Sequence, residues 1–116
     1  MIYNAFDVVR VPFPFTDRQA AKNRPALVLS NAKAFNRSAD HSVMAMITSA
    51  SHGPSPLDCP IEDLDAAGLP SESIIRFKLF TLDRRLVRGR LGKLSDADKE
   101  VVRRCLAKLM DFQVES

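Results

Sequence analysis

Asp7-Val8-Val9-Arg10-Val11-Pro12-Phe13-Pro14-Phe15-Thr16-Asp17 and, a few polar residues later, Lys22-Asn23-Arg24-Pro25-Ala26-Leu27-Val28-Leu29-Ser30 decide how this chain folds. The first stretch alternates: Val9, Val11 and Phe13 share one face while Val8 and Arg10 share the other, the two-residue period of a β-strand over residues 7–13. Pro12 and Pro14 confine the end of that strand to an edge or a bulge, because proline has no N–H to give to a ladder. Residues 16–23 are polar and predict an exposed loop. Residues 26–30 are apolar almost throughout, which predicts a central strand covered on both faces.

Working outward, residues 31–42 read as a polar connection and residues 43–49 as a third strand, with Met44, Met46 and Thr48 on one face and Val43, Ala45 and Ile47 on the other. A turn-rich segment over 50–56 precedes a short candidate strand over 57–61, which Pro60 interrupts. Residues 74–82 form another strand, in which Ile75, Phe77 and Leu79 alternate with Arg76 and Lys78, so that the basic side chains leave on one face. Ser95, followed by Asp96 and Asp98, is a helix start, and Val102, Cys105, Leu106 and Leu109 recur at helical spacing to about Met110. Several short strands and one C-terminal helix predict a small, strongly curved sheet or barrel plugged by that helix.

With 116 residues, 46% of them hydrophobic and 27% charged, the chain is expected to be one domain over 1–116 with a core that needs no staple. Cys59 and Cys105 make no CxxC and suggest neither a zinc site nor a disulfide framework; reduced thiols are expected. The opening residues have no basic and apolar leader, and no later apolar run reaches the length of a membrane span, so a cytoplasmic protein without a membrane partner is expected.

The net charge of +3 is mild, but its distribution is uneven. Between Ser38 and Ile75 every charged residue is an acid; from Arg76 to Lys93 seven bases, Arg76, Lys78, Arg84, Arg85, Arg88, Arg90 and Lys93, accompany only Asp83. Such a run fits a phosphate-binding surface, a solvated strand face or a site for an acidic protein. No cluster of His, Cys, Asp and Glu has metal-ligand spacing, no glycine-rich phosphate loop is present, and His41 and His52 stand alone in polar surroundings. The generic catalytic motifs are thus absent, and neither a metal nor a cofactor is expected.

The two opening stretches together resemble the start of the MazF/PemK toxins, in which a first strand of this form and a loop lead into Arg-Pro-Ala and an apolar strand. Ile47-Thr48-Ser49 at the end of the third strand agrees with the same family. So does the run Lys78-Leu79-Phe80-Thr81-Leu82-Asp83, continuing through Leu91-Gly92 into a terminal helix. The resemblance implies a mainly β fold, an SH3-like barrel of the MazF/CcdB/PemK type with a C-terminal α-helix. It also implies a homodimer, neutralisation by a cognate antitoxin, and sequence-specific, metal-independent cleavage of single-stranded mRNA by 2'-OH attack, giving a 2',3'-cyclic phosphate and a 5'-OH. The family's cleavage residues match Arg24 and Thr48. Taken singly, Arg24 also fits a side chain snorkelling beside Pro25, and Thr48 a β-branched strand residue.

Asp17, Lys22, Asn23 and Ser49 are expected to border the RNA, and Arg76, Lys78, Arg84 and Arg85 to contact its phosphates. Many relatives carry Gly before the first-strand Asp where this chain has Phe6, so the turn entering the strand is expected to differ. Two other functions suit the same fold: a CcdB-like poison that binds gyrase, and an RNA-binding regulator without catalysis.

Overall fold

The computed structural model describes residues 1–13, 22–51 and 53–112. Six strands form one antiparallel sheet: β1 (Asp7–Phe13), β2 (Lys22–Val28), β3 (His41–Ser49), β4 (Cys59–Pro60), β5 (Ser73–Asp83) and β6 (Arg90–Lys93). Their spatial order is β4-β5-β3-β2-β1-β6, and the sheet curls into a half-barrel. Two short helical elements, α1 (Arg37–Ala39) and α2 (Leu64–Ala67), sit in the connections, and α3 (Asp96–Leu109) closes the described chain. The expected mainly β architecture with a C-terminal helix is present.

β2 holds this sheet together, with β1 on one side and β3 on the other. Ala26, Leu27 and Val28 are fully buried because both sheet faces are covered, as the unbroken apolar run required. On one face Val8, Leu27, Ala45, Ile47 and Ile75 pack with Leu94 and Val102 at the foot and middle of α3. On the other, Val9, Val11, Ala26, Val28 and Met44 pack with Tyr3 and Leu82, and the short turn Arg84–Leu86 brings Leu86 against them. Burying an aliphatic side chain contributes about 1.5–3 kcal/mol, so these two clusters supply most of what opposes chain entropy.

Several expectations on secondary structure change. Lys22 and Asn23, placed in the 16–23 loop, already belong to β2 and pair with Phe13 and Pro12; residues 16–21 of that loop lie outside the described residues. The polar connection over 31–42 is largely helical: Asn31 caps a turn over Ala32–Asn36 that runs into α1, and β3 starts at His41. The candidate strand over 57–61 shrinks to Cys59–Pro60, since Leu57 turns the chain with a φ of 64° and Pro60 has no N–H to extend a ladder. β6 was not expected; Gly92 and the charges around it hide a strand that pairs with β1. In β5, Phe77 and Lys78 have no facing residue on β3, yet skipping two residues preserves the alternation that puts Arg76 and Lys78 on one face. Leu109, assigned to the apolar stripe of α3, stays 40% exposed, and Ala107 is buried instead.

In the turn that enters β1, Phe6 stands where many relatives are expected to carry glycine. Phe6 adopts a φ of 72°, the left-handed conformation that glycine enters without strain. Its ring offsets the strain by packing against the helix-side core, with the Arg103 guanidinium 5.0 Å and the Lys99 ammonium 5.9 Å from the ring centre.

α3 begins as its sequence indicates: the Ser95 hydroxyl accepts the Asp98 N–H at 3.2 Å. The buried Asp98 carboxylate in turn accepts the N–H groups of Glu62 and Asp63 at 3.1 and 3.0 Å, tying the helix to the segment before α2. α2 then lies directly on β6. A methyl group on Gly92 would stand 2.4 Å from the Ala66 carbonyl oxygen and 2.7 Å from the Ala67 carbonyl carbon, both rigid backbone. Gly92→Ala is therefore expected to cost about 1–3 kcal/mol in urea unfolding, the range for overpacking. Gly53→Ala, where nothing lies within 4 Å of the added carbon, serves as a near-neutral control. Equal midpoints for the two variants would refute the close α2–β6 contact.

Candidate functional site

The ladder between β2 and β3 runs Val28–Met44, Leu27–Ala45, Ala26–Met46 and stops there, although β2 continues to pair with β1 as far as Lys22. Pro25 is the next residue and has no N–H to donate. Where the ladder ends the two strands part, and a cleft of about 430 Å³ opens between them. Arg24 and Pro25 form one wall, Met46, Thr48 and Ser49 another, Phe13 closes the β1 end, and Pro70, Ser71 and Ser73 lie across from them.

Continuing the register outward by two residues places Arg24 across from Thr48, on the face shared by Ala26 and Met46. The sequence thus separates by 24 positions two residues that line one cleft. Arg24 is exposed and Thr48 half-buried. Ser49 is exposed at the same end, its hydroxyl 2.9 Å from that of Ser51. The cleft can therefore offer a fixed positive charge with forked donors and a hydroxyl to an anionic group bound between the strands.

The other expected site residues are scattered. Lys22 and Asn23 lie next to Arg24 on β2, both exposed, and the Asn23 side-chain oxygen accepts a hydrogen bond from Arg88 at 2.8 Å. Lys78 is exposed on β5. Asp17, like His52, falls outside the described residues.

The basic run, so one-sided along the chain, acquires acids in space. Arg76 binds Asp58, Arg84 binds Asp40 and Arg90 binds Asp7, at 2.9, 3.1 and 3.1 Å, while Arg85 folds back onto Asp83 at 2.9 Å. The pairs of Arg84 and Arg85 are exposed and contribute little to stability. Two hydrogen-bonding contacts from Arg85, side chain and backbone, hold the Asp83 carboxyl well below the ordinary carboxylate range.

Arg76, expected to reach a phosphate, is turned instead onto Asp58, and both side chains are only 13% exposed. The Arg76 hydrogen bond is the main reason that the Asp58 carboxyl is held below its ordinary value. Sequence reasoning missed Phe13, Met46, Pro70, Ser71 and Ser73 as cleft residues. The first two read as strand filling; Pro70 and Ser71 come from the segment between α2 and β5, and Ser73 opens β5 opposite Ser49, placements that only the fold decides.

Among the described residues no group of three or more His, Cys, Asp and Glu side chains is placed to hold a metal. Cys59 and Cys105 are both free. Burial pushes the Cys59 thiol up to about 12, with Cys105 beside it, so it is an inert core group. Among the described residues no helix is long and apolar enough to cross a membrane.

Residues 4–110 match the model of the PemK-like, MazF-like toxins of type II toxin–antitoxin systems. The chain belongs to this family. Its fold is that of MazF from a MazE–MazF complex of Deinococcus radiodurans, with a TM-score of 0.76 and 24% identity over 97% of this chain and 100% of that one. It also matches an endoribonuclease in complex with its cognate antitoxin from a mycobacterial species, with a TM-score of 0.74 and 18% identity over 98% of each chain. A third likeness is to the Mycobacterium tuberculosis toxin MazF-mt6, with a TM-score of 0.71 and 16% identity over 93% of this chain and 99% of that one. No curated protein matches the sequence.

Within this MazF/PemK-like fold, the ion pair of Arg76 makes a pH-dependent contribution. Because Asp58 has a lowered folded pKa, the stability due to its charge is present above the unfolded value, about 3.9, and is lost as the pH falls through the folded value. The urea midpoint of Asp58→Asn should therefore lie below that of the unaltered protein near neutrality, and the gap should narrow below about pH 5. A gap unchanged down to pH 3 would show that the charge of Asp58 plays no part.

Proposed function

We propose that this MazF/PemK-like toxin is an endoribonuclease that cuts single-stranded mRNA at selected sequences, using Arg24 and Thr48. The observation that carries the reading is that both residues line the cleft beyond the end of the β2–β3 ladder. The family supplies the toxin class, and the solved structures named for endoribonucleases and for antitoxin complexes are consistent with RNA and a cognate antitoxin as partners. A homodimer and action in the cytoplasm, where mRNA is found, belong to the same proposal.

In the proposed reaction the ribose 2'-OH attacks the adjacent phosphorus. The P–O5' bond breaks, the 2'-OH proton leaves, and a proton reaches the departing 5'-oxygen, leaving a 2',3'-cyclic phosphate and a 5'-OH. Negative charge builds on the non-bridging oxygens in the transition state, and Arg24 stabilises it with a planar, permanently charged fork that can bind two oxygens. That permanent charge unsuits it to be a base, so its part is electrostatic. Thr48 supplies the hydroxyl that orients the phosphate or relays a proton. Lys22, Asn23 and Ser49 adjoin the pair and would contact neighbouring nucleotides; Asp17 is assigned with them from the sequence. Lys78, Arg84 and Arg85 would hold phosphates farther along the strand, with Asp40 and Asp83 releasing Arg84 and Arg85 to RNA.

These roles give separable expectations. Arg24→Ala should lower single-turnover cleavage by about 10²- to 10³-fold without unfolding the protein, and Arg24→Lys should restore little, since a point charge cannot replace the fork. Thr48→Ser should retain more activity than Thr48→Ala. A folded Arg24→Ala protein that cuts at the normal rate would bring forward the gyrase-poison reading, which a supercoiling assay then tests. Because the reaction as written uses side chains alone, cleavage should continue in excess EDTA and cease on RNA carrying 2'-deoxyribose at the cut. Loss in EDTA that Mg²⁺ restores would refute it.

The outlying bases make a different prediction. Replacing Arg84 and Arg85 together by Gln should weaken RNA binding and flatten the plot of log K against log salt by roughly 0.7 for each lost contact. An unchanged slope would leave both as surface ion pairs.

A further inference from the structure

Arg76 stands in β5 across from Met46, a wall of the cleft, yet it does not line the cleft itself. Its guanidinium donates to both Asp58 oxygens, from Nε to Oδ1 at 3.2 Å and from a terminal nitrogen to Oδ2 at 2.9 Å. The same terminal nitrogen donates to the Gly53 carbonyl. Asp58 meanwhile closes a turn of its own: its Oδ2 accepts the Ser55 N–H at 2.8 Å and its N–H donates to the Ser55 carbonyl at 3.3 Å. One arginine therefore grips the turn over 53–58 at both ends. This turn lies on the path from Ser49, at the cleft, to β4. Gly53, Pro54 and Pro56 are exposed, so the turn has little apolar side chain with which to anchor itself.

We infer that Arg76 and Asp58 form a strut that fixes the 53–58 turn, on the chain that leaves the Thr48–Ser49 end of the cleft, making Arg76 a positioning residue for the choice of RNA sequence. This inference rests on the proposed cleavage of RNA and assigns Arg76 a role other than phosphate contact. A carboxylate and a carbonyl bound by one planar fork define both the distance and the tilt of the turn. Base selection depends on where a few hydrogen-bonding groups stand around a splayed nucleotide. A turn that wanders by an ångström loses that discrimination before it loses the chemistry, which resides in the strands. With 13% exposure on each side chain, the pair is also sheltered from competing phosphate.

The test uses the full chain freed of antitoxin, as Arg76→Gln, Asp58→Asn, the two combined, and Arg76→Lys. Single-turnover cleavage is measured on the preferred RNA and on its single-base variants, and amide exchange at Ser55 and Asp58 is followed without RNA. Each single replacement should reduce the preference for the correct sequence by about tenfold, the scale of one lost discriminating contact. The combined variant should lose no more than either alone, because the residues act as a unit. Arg76→Lys should recover little, exchange at Ser55 and Asp58 should quicken in every variant, and the salt slope of binding should stay as in the unaltered protein.

Three results would overturn the inference. One is a flattened salt slope in Arg76→Gln with full sequence preference in Asp58→Asn, the mark of a phosphate contact. Another is unchanged exchange at both amides. The third is quickened exchange with sequence preference intact in both single variants. If the unaltered protein cuts no RNA, the proposed function fails on that result, while the exchange data still judge whether the strut exists.

Discussion

The burial of β2 on both faces is the constraint on which the rest of the molecule depends. Ala26 and Val28 fill one core and Leu27 the other, so this strand cannot slip by one residue without exchanging the two sets of side chains. Its register then fixes β1 and β3, and β3 fixes β5. The same strand sets the place of the cleft. Its inner half is apolar and doubly paired, while its outer half, from Pro25 outward, pairs with β1 alone. Core formation and cleft formation are two ends of one seven-residue strand.

Much of this is legible in the amino-acid sequence. The limits of β1 follow from its alternation, the central place of β2 from its unbroken apolar run, and the start of α3 from Ser95 with its flanking acids. The features that escape such a reading depend on contacts distant in the chain. β6 carries no strand signal, because Gly92 is chosen for the approach of α2 and not for strand propensity. Phe6 reads only as a departure from glycine; its left-handed backbone and the ring's place on the helix-side core, which offsets the strain, come from the fold. In the cleft, Arg24 and Thr48 are identifiable by their setting in family motifs, but their place in one cleft follows only from the β2–β3 register. The wall formed by Pro70, Ser71 and Ser73 has no local signature.

Charge shows the same divide between chain and fold. An acidic middle and a basic run after it suggest a field of free positive charge. The fold instead pairs Arg76 with Asp58, Arg84 with Asp40 and Arg90 with Asp7, joining residues 18, 44 and 83 positions apart. Separation along the chain is thus partly a means of joining elements: Arg90 ties β6 to β1 at the buried Asp7, and Arg84 ties the end of β5 to the segment after α1. A count of bases in a window measures neither the number free to bind a phosphate nor the field at the surface.

Arg24 and Arg76 make the point most sharply, since they are the same residue type on one face of the same sheet. Burial and partner separate them. Arg24 is exposed at the mouth of the cleft, where a bound anion can reach its fork. The Arg76 side chain is only 13% exposed, and its Nε and one terminal nitrogen already bind a carboxylate and a carbonyl, so releasing it to a phosphate would leave Asp58 charged, sheltered and unpaired. Breaking a buried pair in that way costs far more than an exposed contact returns. The guanidinium that is already satisfied therefore serves the shape of the site, and the exposed one is suited to its chemistry.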